Sequence, residues 1–241
     1  MKKLDIVATL KEGIALGIAN YLSVLFTVVL YILTIWIPYL NVGTTIALSL
    51  LPAEMAKGKV VNPLYIFDGK YRRNMGEYFI LMGLLYLGVI IGFLFLIVPG
   101  CVIALAWTFA AILFVDKDMN ALEALRESNR LTYGNKGRIF VISLLLGLCL
   151  QVISVVVNGL FGIGNVEWLE VIGSILVFLI TLSIMPLSFG LNAVVYKKLV
   201  LEEASDEKTE EAVEVEEQKV EEVEEQKVEE VEEQKIEEVV E

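Results

Sequence analysis

Histidine is absent from this 241-residue chain, and cysteine occurs only twice, as Cys101 and Cys149. Without histidine the chain cannot form Ser-His-Asp or Cys-His nucleophile systems, histidine-ligated haem or the usual zinc sites. Both cysteines lie inside long apolar runs, which predicts two small buried hydrophobes with no disulfide or metal role. We therefore expect a non-enzymatic protein with no cofactor, and we assign no catalytic, cofactor-binding or metal-binding residue.

Charged residues are also scarce for a chain of this size. The sequence is 56% hydrophobic and 21% charged, and its mean hydropathy is +0.69. Soluble domains are roughly 45–50% apolar and about 25% charged, and a water-facing globule of this length cannot bury so much apolar surface. The composition therefore predicts an integral membrane protein.

The few charges are unevenly divided between two predicted domains. Residues 1–201 hold 15 Lys and Arg against 11 Asp and Glu, a formal charge of +4, whereas residues 202–241 hold 4 Lys against 20 Asp and Glu, which is −16. We predict a transmembrane helical domain over 1–201 and an acidic tail over 202–241. The tail would repel phosphates, which argues against nucleic-acid binding.

The tail contains three tandem octads over residues 216–239, EEQKVEEV, EEQKVEEV and EEQKIEEV. Their apolar residues are spaced by three and five, so the apolar stripe winds around a helix and cannot form the continuous seam of a coiled coil. We expect an exposed cytoplasmic extension that is partly helical or disordered. It is either a solvated low-complexity tail or a docking arm for a basic protein partner.

Long apolar runs predict the membrane segments. A spanning helix needs about 20 apolar residues. The first run is too long for the hydrophobic region of a cleavable signal peptide, so we expect it to be a retained span. A proline followed by a glycine separates two of the runs, which predicts a helical hairpin turning near Pro99 and Gly100. The runs are 14–37, 78–98, 101–115, 139–161 and 171–196.

The segment 40–56 is apolar but contains Asn41, Pro52 and Glu54. Positively charged loops stay in the cytoplasm. All the basic clusters can be cytoplasmic only if segment 40–56 brings the chain back to the cytoplasmic side. It would be a short span or a re-entrant helix, which gives about six membrane segments in the cell membrane with both termini cytoplasmic. The basic residues of the body are Lys2, Lys3, Lys11, Lys57, Lys59, Lys70, Arg72, Arg73, Lys117, Arg126, Arg130, Lys136, Arg138, Lys197 and Lys198.

Residues 119–133 have the pattern of an amphipathic helix on the cytoplasmic membrane surface. Asn120 and Glu123 are spaced as a capping box, and Gly134 is a natural helix end. Leucines 122, 125 and 131 lie roughly to one side, and the pairs Glu123–Arg126 and Glu127–Arg130 lie on the other. This helix could dock a lipid headgroup or a protein partner, or it could be a connector that shields the bundle.

A second cytoplasmic connector, residues 58–78, alternates aromatic and basic side chains. This composition is typical of an interfacial belt beside anionic membrane lipids, although a specific binding site is also compatible with it. The aromatic residues are Tyr65, Phe67, Tyr71 and Tyr78.

Three stretches carry a resemblance to a known family: FLIVPGCVIALAWTFAAILFVDKD, ALEALRESNRLTYGNKGRIF and PYLNVGTTIALSLLPAEMAKGKVV. The region from about Gly43 to Gly137 resembles a family of bacterial and archaeal membrane proteins of unknown function, akin to the membrane domain attached to some glycerophosphodiester phosphodiesterases. The resemblance extends over most of residues 1–200 and implies a six-helix domain. It implies no activity, and we expect no phosphodiesterase domain after the last span.

Polar residues inside the spans are few. Asn20, Gln151, Asn158 and Asn192 would each hydrogen-bond a neighbouring helix or contact a substrate. Two small-residue motifs, at Gly13 and Gly17 and at Gly88 and Gly92, would allow close helix packing. Pro186 should kink the last helix. The cytoplasmic carboxylates that could act on a substrate are Asp68, Asp116, Asp118 and Glu123.

Three functional hypotheses follow. The first is a scaffold or accessory subunit that contacts membrane lipids and a protein partner through the 119–133 helix or the acidic tail. The second is a carrier of a lipid or small amphiphile, with a cavity beside Pro186 faced by Asn158 and Asn192. The third is a phospholipid-modifying enzyme in which Asp116 and Asp118 hold Mg²⁺.

Overall fold

Helices and short turns make up the described chain, which contains no strand. The computed structural model describes residues 3–58, 60–161 and 167–202. The all-α prediction is thereby confirmed. The helices are α1 (Ile6–Ala19), α2 (Tyr21–Thr34), α3 (Leu40–Ala56), α4 (Met75–Phe95), α5 (Ile97–Ala106), α6 (Ala110–Asp116), α7 (Ala121–Thr132), α8 (Lys136–Phe161) and α9 (Glu167–Tyr196), with 3₁₀ turns at Pro63–Phe67 and Gly69–Arg72 and a π turn at Lys197–Leu201.

Four helical segments of the described chain are long and apolar enough to cross a membrane. They confirm the predicted apolar runs at 78–98, 101–115, 139–161 and 171–196. At most 39% of the apolar window in each segment is buried inside the protein. Such large apolar surfaces suit lipid and not water. The segments are Met75–Phe95, Ile97–Asp116, Lys136–Phe161 and Trp168–Leu201.

The first apolar run is not one straight helix, contrary to the span predicted over 14–37. The helix breaks at Asn20, and α1 and α2 meet at a bend of 71°. Asn20 Oδ1 accepts a 3.2 Å hydrogen bond from the Val61 backbone N–H, and the Ser23 hydroxyl donates to the Val61 carbonyl. These two polar side chains hold the connector in the bend. The pair α1–α2 is a fifth membrane segment only if it counts as one broken span.

Helix α3, the doubtful segment of the sequence, is largely enclosed by protein. It packs against α2, α6 and α9, and ten of its 17 residues are buried. Pro52 lies inside the helix and is also buried. Because α3 faces other helices over much of its surface, it does not need the unbroken apolar sequence of a lipid-facing span.

The α4–α5 hairpin turns three residues earlier than predicted. The break is at Leu96, whose backbone is extended, and Pro99 lies in the first turn of α5. Proline is accepted in a first helical turn because its nitrogen needs no hydrogen-bond acceptor there. The Gly88 and Gly92 motif faces α5, where a Cβ on Gly92 would lie 2.9 Å from the Gly100 Cα atom. The predicted close helix packing is therefore confirmed inside this hairpin.

Helix α1 packs against the second half of α9 through a stripe of small residues. Thr9, Gly13 and Gly17 are the buried residues of α1. A Cβ on Gly190 of α9 would overlap the Gly13 carbonyl and the Gly17 backbone, so the two helices touch through their main chains. The first predicted glycine motif is confirmed at this crossing. Helix α9 continues through Pro186.

The apolar face of helix α7 packs against the protein. Its capping box is present, with Asn120 Oδ1 accepting the Glu123 N–H at 2.9 Å, and Gly134 follows the helix with a φ of 76°. Leu125 and Leu131 are buried, whereas Leu122 is 54% exposed, so the three leucines do not share one buried face. Glu127 pairs with Arg130 at 2.8 Å, whereas Glu123 serves the capping box.

Two hydroxyls of α7 bridge the interruption between α5 and α6. The Ser128 hydroxyl donates to the Ala106 carbonyl at 2.8 Å and accepts the Phe109 N–H at 3.1 Å. The Thr132 hydroxyl also donates to Ala106, at 3.4 Å. Because an unpaired backbone group is costly when buried, α7 stabilises a broken helix that the apolar run alone would not tolerate.

The chain divides into two units, Met1–Leu199 and Val200–Glu241. The boundary predicted from charge lies between residues 201 and 202. The second unit is described only over 200–202, so the predicted octad tail lies outside the described residues. All the features below belong to the first unit.

Candidate functional site

A cavity of about 410 Å³ lies between α3, the 3₁₀ turn at Gly69–Arg72 and the end of α6. One part of its wall is apolar and the rest is charged or polar. The apolar part is Ile46, Leu50, Phe114 and Val115, and the polar part is Glu54, Lys57, Lys70, Tyr71, Arg73, Asn74, Asp116 and Asp118.

The helical repeat of α3 positions the side chains that this helix contributes to the cavity lining. Ile46, Leu50 and Glu54 follow one another at intervals of four, and Lys57 is the residue that ends the helix. Residues four apart lie on the same face of a helix, one turn above another. The face therefore changes from apolar to charged along its length, so one end of the cavity suits a hydrocarbon group and the other a polar one.

Asp116 is the centre of a hydrogen-bonded cluster at the charged end. Its Oδ1 accepts from the Lys57 ammonium at 2.9 Å, and its Oδ2 accepts from the Tyr196 hydroxyl at 2.7 Å. Lys57 also donates to Glu54 Oε1 at 2.9 Å. Burial by itself would lower the pKa of Lys57, but its hydrogen bonds to Glu54 and Asp116 outweigh that effect and raise the pKa above its usual value.

Asp118 is held in the cavity by a neutral neighbour. The Asn74 side-chain amide donates to Asp118 Oδ1 at 3.1 Å. Asn74 precedes α4 without capping it, so its amide is available for this contact. Asp118 has a φ of 50°, a left-handed conformation that is uncommon outside glycine, asparagine and aspartate. Among the described residues, no cation pairs with the Asp118 carboxylate.

Lys70 and Arg73 add two further cations to the cavity lining. The carboxylate of Asp68 accepts the Lys70 backbone N–H at 3.0 Å, and this hydrogen bond lowers the pKa of Asp68. The Lys70 ammonium lies 3.4 Å from Asp68 and 4.9 Å from the centre of the Tyr71 ring. Arg73 is exposed, and no ion pair to it is present in the described part of the chain.

The connector before α4 runs back along α3 instead of leaving it. The Tyr65 hydroxyl donates to the Ala47 carbonyl at 2.9 Å, and burial raises the pKa of Tyr65 well above its usual value. Further along, Arg72 packs against Gly43 and lies 5.9 Å from the Tyr39 ring. The basic connector therefore follows α3 from its last residues to its first turn.

The connector aromatics only partly match the predicted interfacial belt. Tyr71 and Tyr78 are each 5% exposed, and the Tyr78 ring lies 5.8 Å from that of Phe114. These two residues pack inside the protein, so the belt prediction is wrong for them. They are enclosed because the turn that carries Tyr71 packs against α3, and α4, which carries Tyr78, packs against α3 and α6.

The structure brings together two of the four candidate carboxylates, Asp116 and Asp118. Asp68 instead caps a 3₁₀ turn, and Glu123 completes the capping box of α7. Each oxygen of Asp116 already accepts a hydrogen bond, from Lys57 and from Tyr196 respectively. The described residues contain no cluster of three or more histidine, cysteine or acidic residues arranged to hold a metal ion.

The polar residues predicted inside the spans have local roles. Asn158 and Asn192 donate to the Ser154 and Ser188 carbonyls of their own helices, at 2.9 and 3.1 Å. Within the described ranges neither amide bonds a neighbouring helix, because each reaches the carbonyl four residues back in its own helix. Neither lines the cavity described above. Of the predicted polar residues, Asn20 does bond a separate segment, at Val61.

The cysteine prediction was partly wrong. Cys149 is exposed and Cys101 is partly buried, because α8 and α5 present these positions outward from the bundle. Both are free thiols, as predicted.

Comparison with known proteins adds no relative. No protein-family model, curated protein or solved structure matches the chain. The resemblance to the six-helix membrane family therefore stays a prediction.

Proposed function

We propose that this protein is a non-enzymatic membrane protein that binds, and carries, a lipid or small amphiphile in the cavity beside α3. The observation that supports this is the division of one cavity wall into an apolar part, around Leu50 and Val115, and a charged part, around Lys57 and Asp118. An amphiphile likewise has an apolar part and a charged or polar part. The volume of about 410 Å³ lies within the roughly 300–1,000 Å³ of small-molecule sites.

We also infer that the chain crosses the membrane four times and that the α2–α3 hairpin lies in the cytoplasmic leaflet without crossing. Helix α3 is about 25 Å long at 1.5 Å per residue, and basic side chains contact both of its ends, Lys57 at one and Arg72 at the other. If α3 crossed the bilayer, Arg72 would lie on the far side from Lys57. A hairpin that lies along the cytoplasmic leaflet keeps both at the cytoplasmic side, as positively charged loops require.

The outer face of α2 fits this arrangement. Leu22, Phe26 and Leu33 are each at least 59% exposed, and Trp36 beyond the helix is 86% exposed. An apolar face of this kind suits a helix lying in one leaflet with a tryptophan near the interface. With four crossings, both termini and the cavity lie on the cytoplasmic side of the cell membrane.

A matched pair of tryptophan substitutions tests the binding proposal. Val115→Trp would fill the apolar part of the cavity, whereas Val152→Trp adds the same side chain on α8, where Val152 is 60% exposed. We expect native mass spectrometry of gently extracted protein to show a retained lipid with the wild type and with Val152→Trp, and its loss with Val115→Trp. Equal retention by all three would contradict the proposal.

Carriage is tested separately in proteoliposomes. We expect the wild type to accelerate movement of a fluorescent phospholipid between leaflets, and Val115→Trp to abolish that acceleration. Binding without accelerated movement would leave a binding protein and exclude a carrier.

A scaffold or accessory subunit is the second candidate, and the outward face of α7 favours it. Arg126 and Arg130 are exposed there while the apolar face of the helix is buried. The acidic tail would be a further contact surface. Deletion of residues 202–241 should then remove cross-linked protein neighbours in the native membrane, and an unchanged set of neighbours would exclude the tail from that role.

A further inference from the structure

We infer that the cavity beside α3 selects a ligand carrying both a phosphate and a primary ammonium group, such as an ethanolamine phospholipid headgroup. This inference rests on the proposed function and specifies the chemistry of its ligand. Its basis is the way the charges of the cavity are paired with one another.

The charges that line the cavity balance overall. Three cations, Lys57, Lys70 and Arg73, face three carboxylates, Glu54, Asp116 and Asp118. A ligand with phosphate alone would meet the carboxylates, and a ligand with ammonium alone would meet the cations. A ligand that carries both charges avoids either repulsion.

Half of these charges already have strong partners. The Lys57 ammonium is hydrogen-bonded to Glu54 and Asp116, each at 2.9 Å, and the second oxygen of Asp116 is bonded to Tyr196. The side chain of Asp116 is only 10% exposed. This cluster is a wall of the cavity and leaves little capacity for a ligand.

The remaining charges form a cationic side and an anionic side. Lys70 lies over the Tyr71 ring and has an exposed pair with Asp68, 3.4 Å long, and exposed pairs of this kind contribute little. Arg73 has no ion pair among the described residues, and its guanidinium can bind two phosphate oxygens at once. Asp118 is exposed and bonded to the neutral Asn74 amide, and no cation pairs with it among the described residues.

The chain itself keeps these two sides adjacent. Arg73 and Asn74 are neighbours in sequence, and Asn74 holds Asp118 at 3.1 Å. A phosphate at Arg73 and an ammonium at Asp118 would therefore be close together, as they are in a headgroup with a short carbon spacer. The apolar wall at Leu50, Phe114 and Val115 continues from this point and suits the hydrocarbon part of the ligand.

The carboxylate of Asp118 also discriminates between ammonium groups. An ionised carboxylate only accepts hydrogen bonds, and a primary ammonium donates three. A trimethylated ammonium donates none. We therefore expect ethanolamine headgroups to bind more tightly than choline headgroups, by about tenfold for one charge-assisted hydrogen bond.

The test is a set of titrations of the full chain in neutral detergent. The ligands are phosphatidylethanolamine, phosphatidylcholine, phosphatidic acid and soluble phosphoethanolamine. For the wild type we expect phosphatidylethanolamine to bind about tenfold more tightly than either other lipid. Asp118→Asn should reduce this preference to less than about threefold, and asparagine tolerates the left-handed backbone at this position.

Two variants that each remove one cation separate the cationic side from general charge effects. Arg73→Ala should weaken binding of all three phospholipids by about three- to tenfold. Lys11→Ala, which removes an exposed cation of α1 outside the cavity, should leave the affinities unchanged. Equal effects of the two variants would overturn the inference.

The remaining outcomes distinguish this inference from the proposed function. If the wild type binds all three lipids equally and Val115→Trp abolishes binding, the headgroup inference is wrong and the amphiphile proposal stands. If no lipid binds in a way that Val115→Trp affects, both are wrong. If soluble phosphoethanolamine binds as tightly as the lipid, the phosphate and ammonium recognition stands and the ligand is a soluble one.

Discussion

The Tyr196 hydroxyl donates a 2.7 Å hydrogen bond to Asp116 Oδ2, which joins the end of α9 to the end of α6 across 80 positions of sequence. The Tyr196 side chain is fully buried, and its ring lies 5.9 Å from that of Phe109. The second oxygen of Asp116 receives Lys57. One carboxylate thus connects the last span, the interrupted span and the end of α3.

Tyr196→Phe should therefore destabilise the protein. The ring and its contact with Phe109 remain, but Asp116 loses a buried hydrogen-bond donor, at a cost of about 1–3 kcal/mol in the free energy of unfolding. Unfolding in detergent with increasing denaturant measures this. Tyr133→Phe is the matched control, because Tyr133 is 67% exposed. Equal stability of the two variants would mean that the Tyr196–Asp116 bond contributes nothing.

Stability should fall in alkaline solution through Lys57. The pKa of Lys57 is raised in the folded protein above its ordinary 10.5 by Glu54 and Asp116, against the opposing effect of burial. The stabilisation is fully present below pH 10.5 and is lost as the pH rises through the folded-state pKa. We expect the melting-temperature difference between wild type and Lys57→Met to be constant from about pH 7 to pH 10 and to shrink above that range. A difference that grows at alkaline pH would contradict this assignment.

Gly190→Ala should separate α1 from α9. The new methyl group would meet the Gly13 carbonyl and the Gly17 backbone, and main-chain atoms cannot move aside as a flexible side chain can. We expect a loss of about 1–3 kcal/mol in unfolding free energy. Gly159→Ala in α8 is the control, since nothing lies within 4 Å of that position, and there the change should stabilise the helix by about 0.5–1 kcal/mol. If both substitutions changed the unfolding free energy in the same direction, the close crossing of α1 and α9 would be ruled out.

Cysteine labelling tests the placement of the α2–α3 hairpin in the cytoplasmic leaflet. In a chain with Cys101 and Cys149 replaced by alanine, Tyr39→Cys marks the turn between α2 and α3. A membrane-impermeant maleimide should label it from the cytoplasmic side, together with Tyr133→Cys and opposite to Trp168→Cys. Labelling of Tyr39→Cys from the same side as Trp168→Cys would instead support a spanning α3 and six membrane segments.

The spans could be predicted from sequence because an apolar run is a local property. The runs that became α4, α8 and α9 need no distant residue to identify them. The capping box at Asn120 and Glu123 is equally local, since its two residues are three apart, and the structure confirms it.

The interruptions could not be predicted, because their causes are distant in sequence. The helix breaks at Asn20, where the side chain accepts a hydrogen bond from the backbone of Val61, 41 positions later in the sequence. The interruption after Ala106 depends in the same way on Ser128. From sequence alone these hydrogen bonds are unknown, so the apolar runs around Asn20 and after Ala106 both look like uninterrupted helices.

The candidate site was only half visible in the sequence. Asp116 and Asp118 stood out as a close acidic pair at the end of an apolar run. Arg73 and Lys57 appeared only as cytoplasmic charges, because nothing local indicates that the connector folds back along α3. The spacing of Ile46, Leu50 and Glu54 was a usable signal for a face that changes from apolar to charged.

The glycine crossing of α1 and α9 also constrains how this protein is made. Gly13 and Gly190 are 177 positions apart, so α1 lacks its main packing surface until the second half of α9 has been synthesised. At about 5–20 residues per second, that interval is roughly 9–35 s. During it the exposed stripe of α1 is accessible to chaperones, to the insertion machinery and to other nascent chains. Helix α1 is thus fixed in place only once α9 has been made, although α1 is translated long before it.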